Sequence, residues 1–280
     1  MTPTQPNVPD LLRRYGIHPD RRLGQNFLVD PAALARVVEA ADVGKDDWVL
    51  EIGAGVGNLT SLLAERAGTV VAVELDDRLI PALQEVLSPF PNVNIVQGDI
   101  LELYLTKIID QPAYQVVANI PYYITSALIR HLLEADLKPA KLTLTVQREV
   151  AQRICAAPGN LSLLALSVQV YGEPVVAARI PAGAFYPPPK VDSSVVNVSL
   201  FPTPLIPYPL LATFFRLAKA GFSQKRKTLR NALAGGMHWE PVHAQEVLLS
   251  AGIDPQRRAQ TLSLEEWGNL TSLVHPLPKR

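Results

Sequence analysis

Short apolar runs separated by stretches of helical spacing dominate the first two thirds of the chain. Runs of strand length fall at residues 48–52, 69–75, 93–97, 114–119, 141–146 and 195–200. Apolar residues recur at helical spacing at 31–41, 77–87, 101–109, 126–134 and 147–156, whereas 162–171 fits either a helix or a strand. Strands alternating with helices predict an α/β fold with an open, mostly parallel sheet and helices on both faces. The run at 195–200 is expected to close that sheet.

The pattern changes after Pro202, because four prolines fall within residues 202–209. Beyond them only helical spacing remains, at 211–221, from 225 onward, at 241–250 and at 264–274. Before residue 23 the chain has a loose start over residues 1–10 and a short helix at 11–15. We therefore predict a tail with a basic helix at 1–22, an α/β domain at 23–201 and a small all-helical domain at 202–280.

A glycine turn follows the first strand, at Gly53, Gly55 and Gly57, and the chain then continues as a helix. Glycine permits backbone angles closed to other residues and lets a ligand approach the main chain closely. Glu74 ends the next strand, about 20 residues later, where an acid can bind the hydroxyl pair of a ribose. The spacing Gly-x-Gly-x-Gly differs from that of dinucleotide sites. A tight turn without a ligand is the alternative.

Polar residues end three successive strands of the predicted sheet: Glu74, Asp99 and Asn119. Ligands of such sheets bind beyond the carboxyl ends of the strands, so we expect these side chains to share one crevice. Glu-x-Gly-x-Gly-x-Gly at 51–57 with a strand-end acid is similar to the S-adenosylmethionine site of Rossmann-like methyltransferases. With that cofactor, Asp99 would accept a hydrogen bond from its adenine amine, although a helix cap is the other interpretation of this residue.

The turn Asn119-Ile-Pro-Tyr122 fits methyl transfer to an exocyclic amine of adenine. An oxygen acceptor on the amine hydrogens draws the nitrogen lone pair out of conjugation and orients it. Asn119 supplies that oxygen, Pro121 stiffens the turn, and Tyr122 would stack on the extracted base, with Phe185 on its other face. Alternatively, Asn and Pro are present in this motif only because they are common turn residues, and Phe185 is a core residue rather than a platform for the base.

Charge and composition narrow the class of protein. The 280 residues carry equal numbers of acidic and basic side chains, so a nucleic-acid site has to be a local patch. Two such patches are present, Arg13, Arg14, Arg21 and Arg22 near the start and Lys225, Arg226, Lys227 and Arg230 later, with solvated surfaces as the alternative.

Cys155 is the only cysteine, which excludes internal disulfides, and we expect it to be a buried apolar residue rather than a reactive thiol. The five histidines show no metal-ligand spacing, so no metal is expected. No apolar run of about 18 residues and no signal-peptide core occur, so we expect a cytoplasmic protein without a membrane partner.

Several segments together resemble the ribosomal RNA adenine dimethylases, most closely their small-subunit branch. They are GQNFL at 24–28, EIGAGVG at 51–57, VELD at 73–76, GDI at 98–100, NIPY at 119–122, QREVAQR at 147–153, FYPPPKVDSS at 185–194 and FSQKRKTL at 222–229. This resemblance implies a class I, S-adenosylmethionine-dependent methyltransferase. The residues then expected to bind the cofactor are Asn26, Leu28, Gly53, Gly55, Glu74, Asp99, Ile100 and Asn119. Those expected to bind RNA are Arg21, Arg22, Lys190, Lys225, Arg226, Lys227 and Arg230.

The resemblance also implies the substrate: two adjacent adenosines near the 3′ end of small-subunit ribosomal RNA, dimethylated at N6 within an assembling 30S particle by a monomer. The alternatives are a large-subunit RNA dimethylase of the macrolide-resistance type and a non-catalytic assembly factor. Three departures from the family pattern stand out. Ala54 replaces Pro and is expected to loosen the glycine turn slightly, Leu163-Leu164 replaces Tyr-Gly, and Gln260 replaces Glu.

Overall fold

The structure is a computed structural model that describes residues 6–20, 22–121, 124–224 and 226–274. The chain divides into two compact units. The first comprises the residues up to Ala151 together with Pro174–Leu200, and the second comprises Gln152–Glu173 together with the residues from Phe201 onward. This division differs from the predicted one, which separated residues 1–22 and left 152–173 with the α/β domain.

The described residues form twelve α-helices and nine strands. The helices are α1 (Val8–Arg14), α2 (Pro31–Ala41), α3 (Asn58–Ala64), α4 (Ile80–Leu87), α5 (Leu105–Ile108), α6 (Thr125–Glu134), α7 (Arg148–Ile154), α8 (Leu163–Gln169), α9 (Tyr208–Phe222), α10 (Leu229–Met237), α11 (Pro241–Ser250) and α12 (Leu264–Val274). The strands are β1 (Phe27–Leu28), β2 (Trp48–Ile52), β3 (Thr69–Glu74), β4 (Val93–Gln97), β5 (Gln115–Asn119), β6 (Lys141–Gln147), β7 (Gly172–Ile180), β8 (Phe185–Tyr186) and β9 (Ser193–Leu200).

Seven strands form one sheet in the order β4-β3-β2-β5-β6-β9-β7. The pairs β3–β4, β2–β3, β2–β5 and β5–β6 are parallel, and β9 runs antiparallel to β6. The Rossmann-like, mostly parallel sheet is therefore confirmed. The expectation that β9 closes the sheet is wrong, because β7 lies beyond it. Exposed residues Val175, Val176 and Ala177 blur the alternation of β7, which is why the pattern missed this strand.

Local sequence explains how α2 is placed against the sheet. Asp30 caps it, accepting the Ala33 amide at 2.7 Å, and Pro31 occupies the first turn. Leu34 and Val37 have no exposed surface and join the core cluster that includes Val49 of β2 and Val70 of β3. The helix predicted at 31–41 is therefore present and packs its apolar face against the sheet.

The N-terminal helix begins earlier than predicted. Asn7 caps α1 at the Asp10 amide, and Val8 is almost fully buried, so residues 8–10 do not belong to a loose tail. Leu11 and Leu12 are buried as well, in a cluster whose other members are Ile17, Phe27, Val56, Leu79 and Ala82. Apolar burial of this helix therefore ties the N-terminal segment to the α/β unit.

The second unit is built from helices around Trp267, which is fully buried and stacks on Phe222 with ring centroids 6.0 Å apart. The region left open at 162–171 is a helix, α8, which Ser162 caps at the Ala165 amide. The basic run at 225–230 does not start a helix as predicted. Arg226 and Lys227 precede α10, which begins at Leu229, and Lys225 lies outside the described residues.

Candidate active site

One pocket lies at the carboxyl ends of the parallel strands. β3, β2 and β5 are neighbours, so the ends that carry Glu74, Gly53 and Asn119 meet at one edge of the sheet. The structure places in the lining of this pocket all eight residues predicted to bind the cofactor: Asn26, Leu28, Gly53, Gly55, Glu74, Asp99, Ile100 and Asn119. The predicted crevice at the strand ends is therefore present.

The glycine turn forms the floor of the pocket with left-handed backbone at Gly53 (φ 81°) and Gly55 (φ 61°). A Cβ on Gly55 would lie 3.1 Å from Cδ1 of Phe27, so the turn also needs glycine for space. Ala54, where the family has proline, donates its amide to the Val73 carbonyl at 3.1 Å, a bond that proline cannot make. This bond offsets the loosening that the sequence predicted.

Glu74 presents a buried carboxylate to the pocket, with 6% of the residue exposed. Oε2 accepts the Gly55 amide at 2.7 Å and Oε1 accepts the Asp76 amide at 2.9 Å. Burial raises the pKa of Glu74, and these two amides oppose that rise. Each carboxylate oxygen accepts two or more hydrogen bonds, so both retain capacity for the paired hydroxyls of a ribose. The donor and acceptor set therefore fits the nucleoside part of S-adenosylmethionine.

Asp99 and Ile100 line the pocket just beyond β4. Asp99 Oδ1 accepts the Leu101 amide at 2.9 Å in the turn after β4. The next helix, α5, begins only at Leu105, so the helix-cap interpretation is wrong and the ligand interpretation can use the other oxygen. Ile100 is buried, and Leu75, which is 41% exposed, adds a second apolar side chain to the lining. A carboxylate and two apolar side chains in one lining suit the amine edge and the faces of an adenine ring.

Asn119 is oriented by the main chain just before β1. Its Nδ2 donates to the Asn26 carbonyl at 3.0 Å. Asn26 is in turn fixed by a bond from its own Nδ2 to the Gly24 carbonyl at 3.0 Å. Because the amino group of Asn119 is engaged in this way, its Oδ1 is the atom left to accept a hydrogen bond from a ligand.

Glu51, which sequence reasoning did not assign to the site, also lines the pocket. It is 1% exposed, and its Oε2 has no hydrogen-bond partner among the described residues. Burial raises the pKa of Glu51 to about 8, with the nearby Glu74 charge adding to the shift. The signal that could have found it is its place as the first residue of the Glu-x-Gly-x-Gly-x-Gly motif.

The remaining predicted catalytic residues have different outcomes. Pro121 lines the pocket, whereas Tyr122 lies outside the described residues. Phe185 is 4% exposed and belongs to the core cluster, where β8 pairs it with Leu28. The expectation that Phe185 offers an open face to a base is therefore corrected: packing between β8 and the core uses its ring.

Three of the four arginines in the predicted N-terminal basic patch form ion pairs with acidic side chains. Arg22 pairs with Asp20 at 2.9 Å, Arg14 pairs with Glu85 at 2.6 Å, and Arg13 pairs with Asp10. Arg21 lies outside the described residues. These pairs are exposed and weak, so they lower but do not remove the capacity of this cluster to bind phosphate.

Lys190 is exposed in the first unit, and Arg226 and Lys227 are exposed in the second. Arg230 is partly buried, and its guanidinium donates to Asn231 and Gln245. Gln260 donates to the Gly159 carbonyl at 3.1 Å, a bond that the usual Glu of the family could not make. In this chain the departure at Gln260 therefore fastens a loop within the second unit.

Cys155 is partly buried, and burial raises the pKa of its thiol, which disfavours the reactive thiolate. The described residues contain no group of three potential His, Cys, Asp or Glu metal ligands. No helix in the described parts of the chain is long and apolar enough to span a membrane.

Comparison with known proteins decides the family. The model of the family "Ribosomal RNA adenine dimethylase" matches residues 18–274. This chain belongs to the ribosomal RNA adenine dimethylases. The resemblance found in the motifs is confirmed, and the dimethylase is an enzyme that methylates adenine in ribosomal RNA.

The sequence matches to relatives extend over nearly the whole dimethylase. It is 46% identical over 262 residues to "Ribosomal RNA small subunit methyltransferase A" of Dehalococcoides mccartyi (strain CBDB1), covering 93% of this chain and 90% of the relative. The protein of the same name from Moorella thermoacetica is 42% identical over 272 residues, covering 93% and 94%.

Among the solved structures that are similar to this chain, two cover most of it. A dimethyladenosine transferase from Plasmodium falciparum has a TM-score of 0.75 at 25% identity, covering 87% of this chain and 95% of that one. The 23S rRNA methyltransferase ErmE has a TM-score of 0.72 at 29% identity, covering 90% and 100%. The fold is thus similar both to an enzyme named as a dimethyladenosine transferase and to one named as a 23S rRNA methyltransferase.

Proposed function

We propose that this dimethylase transfers methyl groups from S-adenosylmethionine to N6 of two adjacent adenosines near the 3′ end of small-subunit ribosomal RNA. The observation that carries the chemistry is the fixed amide of Asn119 at the pocket edge. Support for the small subunit comes from the names of its relatives, which are 42–46% identical over more than nine tenths of the chain. Similarity to ErmE does not favour the large-subunit alternative, because identity there is only 29%.

S-adenosylmethionine, when bound, supplies an electrophilic methyl group on a sulfonium that leaves as a neutral thioether. Glu74 would hold its ribose hydroxyls, Asp99 its adenine amine, and the glycine turn would let it approach the main chain. Asn26 would contact the cofactor from the pocket lining and, held by Gly24, also fixes the orientation of Asn119.

Asn119 has the central task at the acceptor amine. Its Oδ1 accepts one hydrogen of the amine and directs the nitrogen lone pair out of the ring plane towards the cofactor. Pro121 restrains the following turn, and the loss of the amine proton to solvent completes each transfer. No strong base is required of the chain, which agrees with a site built from an amide rather than from a histidine.

The substrate context is part of the same proposal. The enzyme acts as a monomer in the cytoplasm on ribosomal RNA within an assembling 30S particle. Lys190, Arg226, Lys227 and Arg230, together with Arg22, Arg21 and Lys225, contact the phosphate backbone.

Replacement of Asn119 tests the chemistry. We expect Asn119→Ala to lower turnover by at least about a hundredfold, since an oriented acceptor is lost at the reacting amine. Its affinity for S-adenosylmethionine, measured by calorimetry, should change less than about tenfold, because Glu74, Asp99 and the glycine turn remain. Asn94→Ala is the control, because Asn94 is an exposed residue of β4 away from the pocket lining. Near-normal turnover of Asn119→Ala would overturn the proposed role.

A further inference from the structure

Residues 23–28 form one continuous wall of the pocket, and every one of them lines it. We call them the lining segment. The segment is anchored at its far end by β1, in which Phe27 and Leu28 pair with β8. Its middle is held by the bond from Asn119 to the Asn26 carbonyl. Its near end is held at Gln25, whose amide donates to the Asp20 carbonyl at 3.2 Å and whose side chain makes two further hydrogen bonds.

Gln25 makes two short hydrogen bonds with different partners. Its Oε1 accepts the Asp20 amide at 2.7 Å, and its Nε2 donates to Asp76 Oδ2 at 2.7 Å. The first bond is local to the loop. The second spans 51 residues of sequence and joins the lining segment to the loop that follows β3.

Asp76 is a firm anchor for that second bond. It is 5% exposed, and Arg78 pairs with it through two contacts, at 2.6 and 2.8 Å. Arg78 also holds the pKa of Asp76 below its usual range, so the carboxylate stays charged. The amide of Asp76 bonds to Glu74 Oε1, which places Asp76 directly behind the predicted ribose acceptor.

These bonds attach the lining segment to two different strand ends. Gln25 fastens it beside β3, and the Asn26 carbonyl fastens it to the end of β5. β2 with its glycine turn lies between those two strands in the sheet. A ligand on the glycine turn is therefore flanked by both attachments. The attachment of the lining segment to the β3 side is a single side-chain hydrogen bond, from Gln25 to Asp76.

We propose that Gln25 is a positioning residue that clasps the lining segment against the β3 end of the pocket through Asp76, and so sets how tightly the cofactor is held. This inference rests on the proposed function, which supplies S-adenosylmethionine as the ligand. Opening the Gln25–Asp76 bond releases the near end of the segment from the β3 side of the pocket and leaves its local bonds to Asp20, while the glycine turn, Glu74 and Asn119 stay in place. The clasp therefore acts on cofactor affinity and much less on the methyl-transfer step.

Exchanging donor and acceptor tests the clasp. Gln25→Glu keeps the oxygen that accepts the Asp20 amide but sets a second carboxylate against Asp76. Asp76→Asn restores a donor, since its amide nitrogen can donate to the new carboxylate and its oxygen can still cap the following turn. Gln84→Glu, the same substitution at an exposed position on α4, is the matched control.

Two measurements are made on each variant: the dissociation constant of S-adenosylmethionine by calorimetry, and amide hydrogen exchange of residues 23–28 without the cofactor. With Asp76 unchanged, Gln25→Glu should weaken binding about tenfold and speed exchange, as expected for loss of a charge-assisted bond. In the Asp76→Asn background, the same substitution should weaken binding less than about threefold, because a donor again faces the carboxylate. In steady state the KM for the cofactor should rise while kcat stays within about twofold, as expected for an interaction that acts on binding alone.

The outcomes separate the two claims. Equal affinity of the wild type and Gln25→Glu, or an equal loss in both backgrounds, would overturn the clasp and leave the proposed function standing. A wild-type protein that binds no S-adenosylmethionine would instead overturn the proposed function together with the ligand assigned to the clasp.

Discussion

Two acidic side chains lie at the base of the pocket under different constraints. Both oxygens of Glu74 hold backbone amides, whereas Oε2 of Glu51 holds no partner among the described residues. Burial therefore raises the pKa of Glu51 to about 8, and the carboxyl is mostly protonated at neutral pH. At the scale of single residues, Glu51 contributes a neutral hydrogen-bonding group and Glu74 contributes the acceptor.

The raised pKa predicts how Glu51 affects stability. A group whose pKa is higher in the folded state stabilises the fold at low pH, and that contribution is lost as pH rises towards about 8. Glu51→Gln removes the titration, so its melting temperature should match that of the wild type near about pH 4.5 and exceed it by several degrees at about pH 8. Thermal unfolding of both proteins across this range measures the difference. A constant difference at all pH values would contradict the raised pKa.

At the scale of elements, small residues control how α9 and α10 approach each other. A Cβ on Gly236 would lie 2.6 Å from both Cα and Cβ of Ala220, whereas one on the neighbouring Gly235 would meet only Gln224 Nε2, at 3.9 Å. We expect Gly236→Ala to destabilise the protein by roughly 1–3 kcal/mol through overpacking. Gly235→Ala, the control, should stabilise it by about 0.5–1 kcal/mol through helix propensity. Chemical denaturation distinguishes the two, and equal effects would contradict this packing.

The segment before α10 gives a second prediction at this scale. Arg226 and Lys227 are exposed, and no ion pair in the described residues engages them. If they contact phosphate, replacing both with Ala should weaken RNA binding and lower the salt dependence of the binding constant by about one slope unit per lost contact. Arg130→Ala with Lys107→Ala removes equal charge and is the control. An unchanged slope would make this segment only a solvated surface.

Elements with a regular pattern were predictable. β4, α11 and α12 have the predicted bounds, because apolar periodicity and flanking turn residues mark them. β7 was not predictable, because its consecutive exposed valines break the alternation of buried and exposed positions. α1 begins earlier than predicted, because Val8 is buried only by tertiary contacts.

Within the site, Glu74, Asp99 and Asn119 were predictable from their places at strand ends. The bond from Gln25 to Asp76 was not, because it joins positions 51 residues apart.

At the scale of the whole molecule, the fold and the family do not determine which ribosomal RNA is the substrate. The ErmE structure, whose name gives 23S rRNA, and the Plasmodium falciparum dimethyladenosine transferase have similar TM-scores, 0.72 and 0.75. Sequence identity to the small-subunit relatives, up to 46%, carries the distinction instead. A direct assay of the substrate therefore tests the central claim.

The most direct measurement is methyl transfer from labelled S-adenosylmethionine to unmethylated small and large ribosomal subunits, offered separately, with the labelled nucleoside identified afterwards. The proposed function predicts N6-dimethyladenosine from the small subunit alone. Asn119→Ala protein under the same conditions is the control for contaminating methylase. Label confined to the large subunit, or appearing in a nucleoside other than adenosine, would contradict the proposed function.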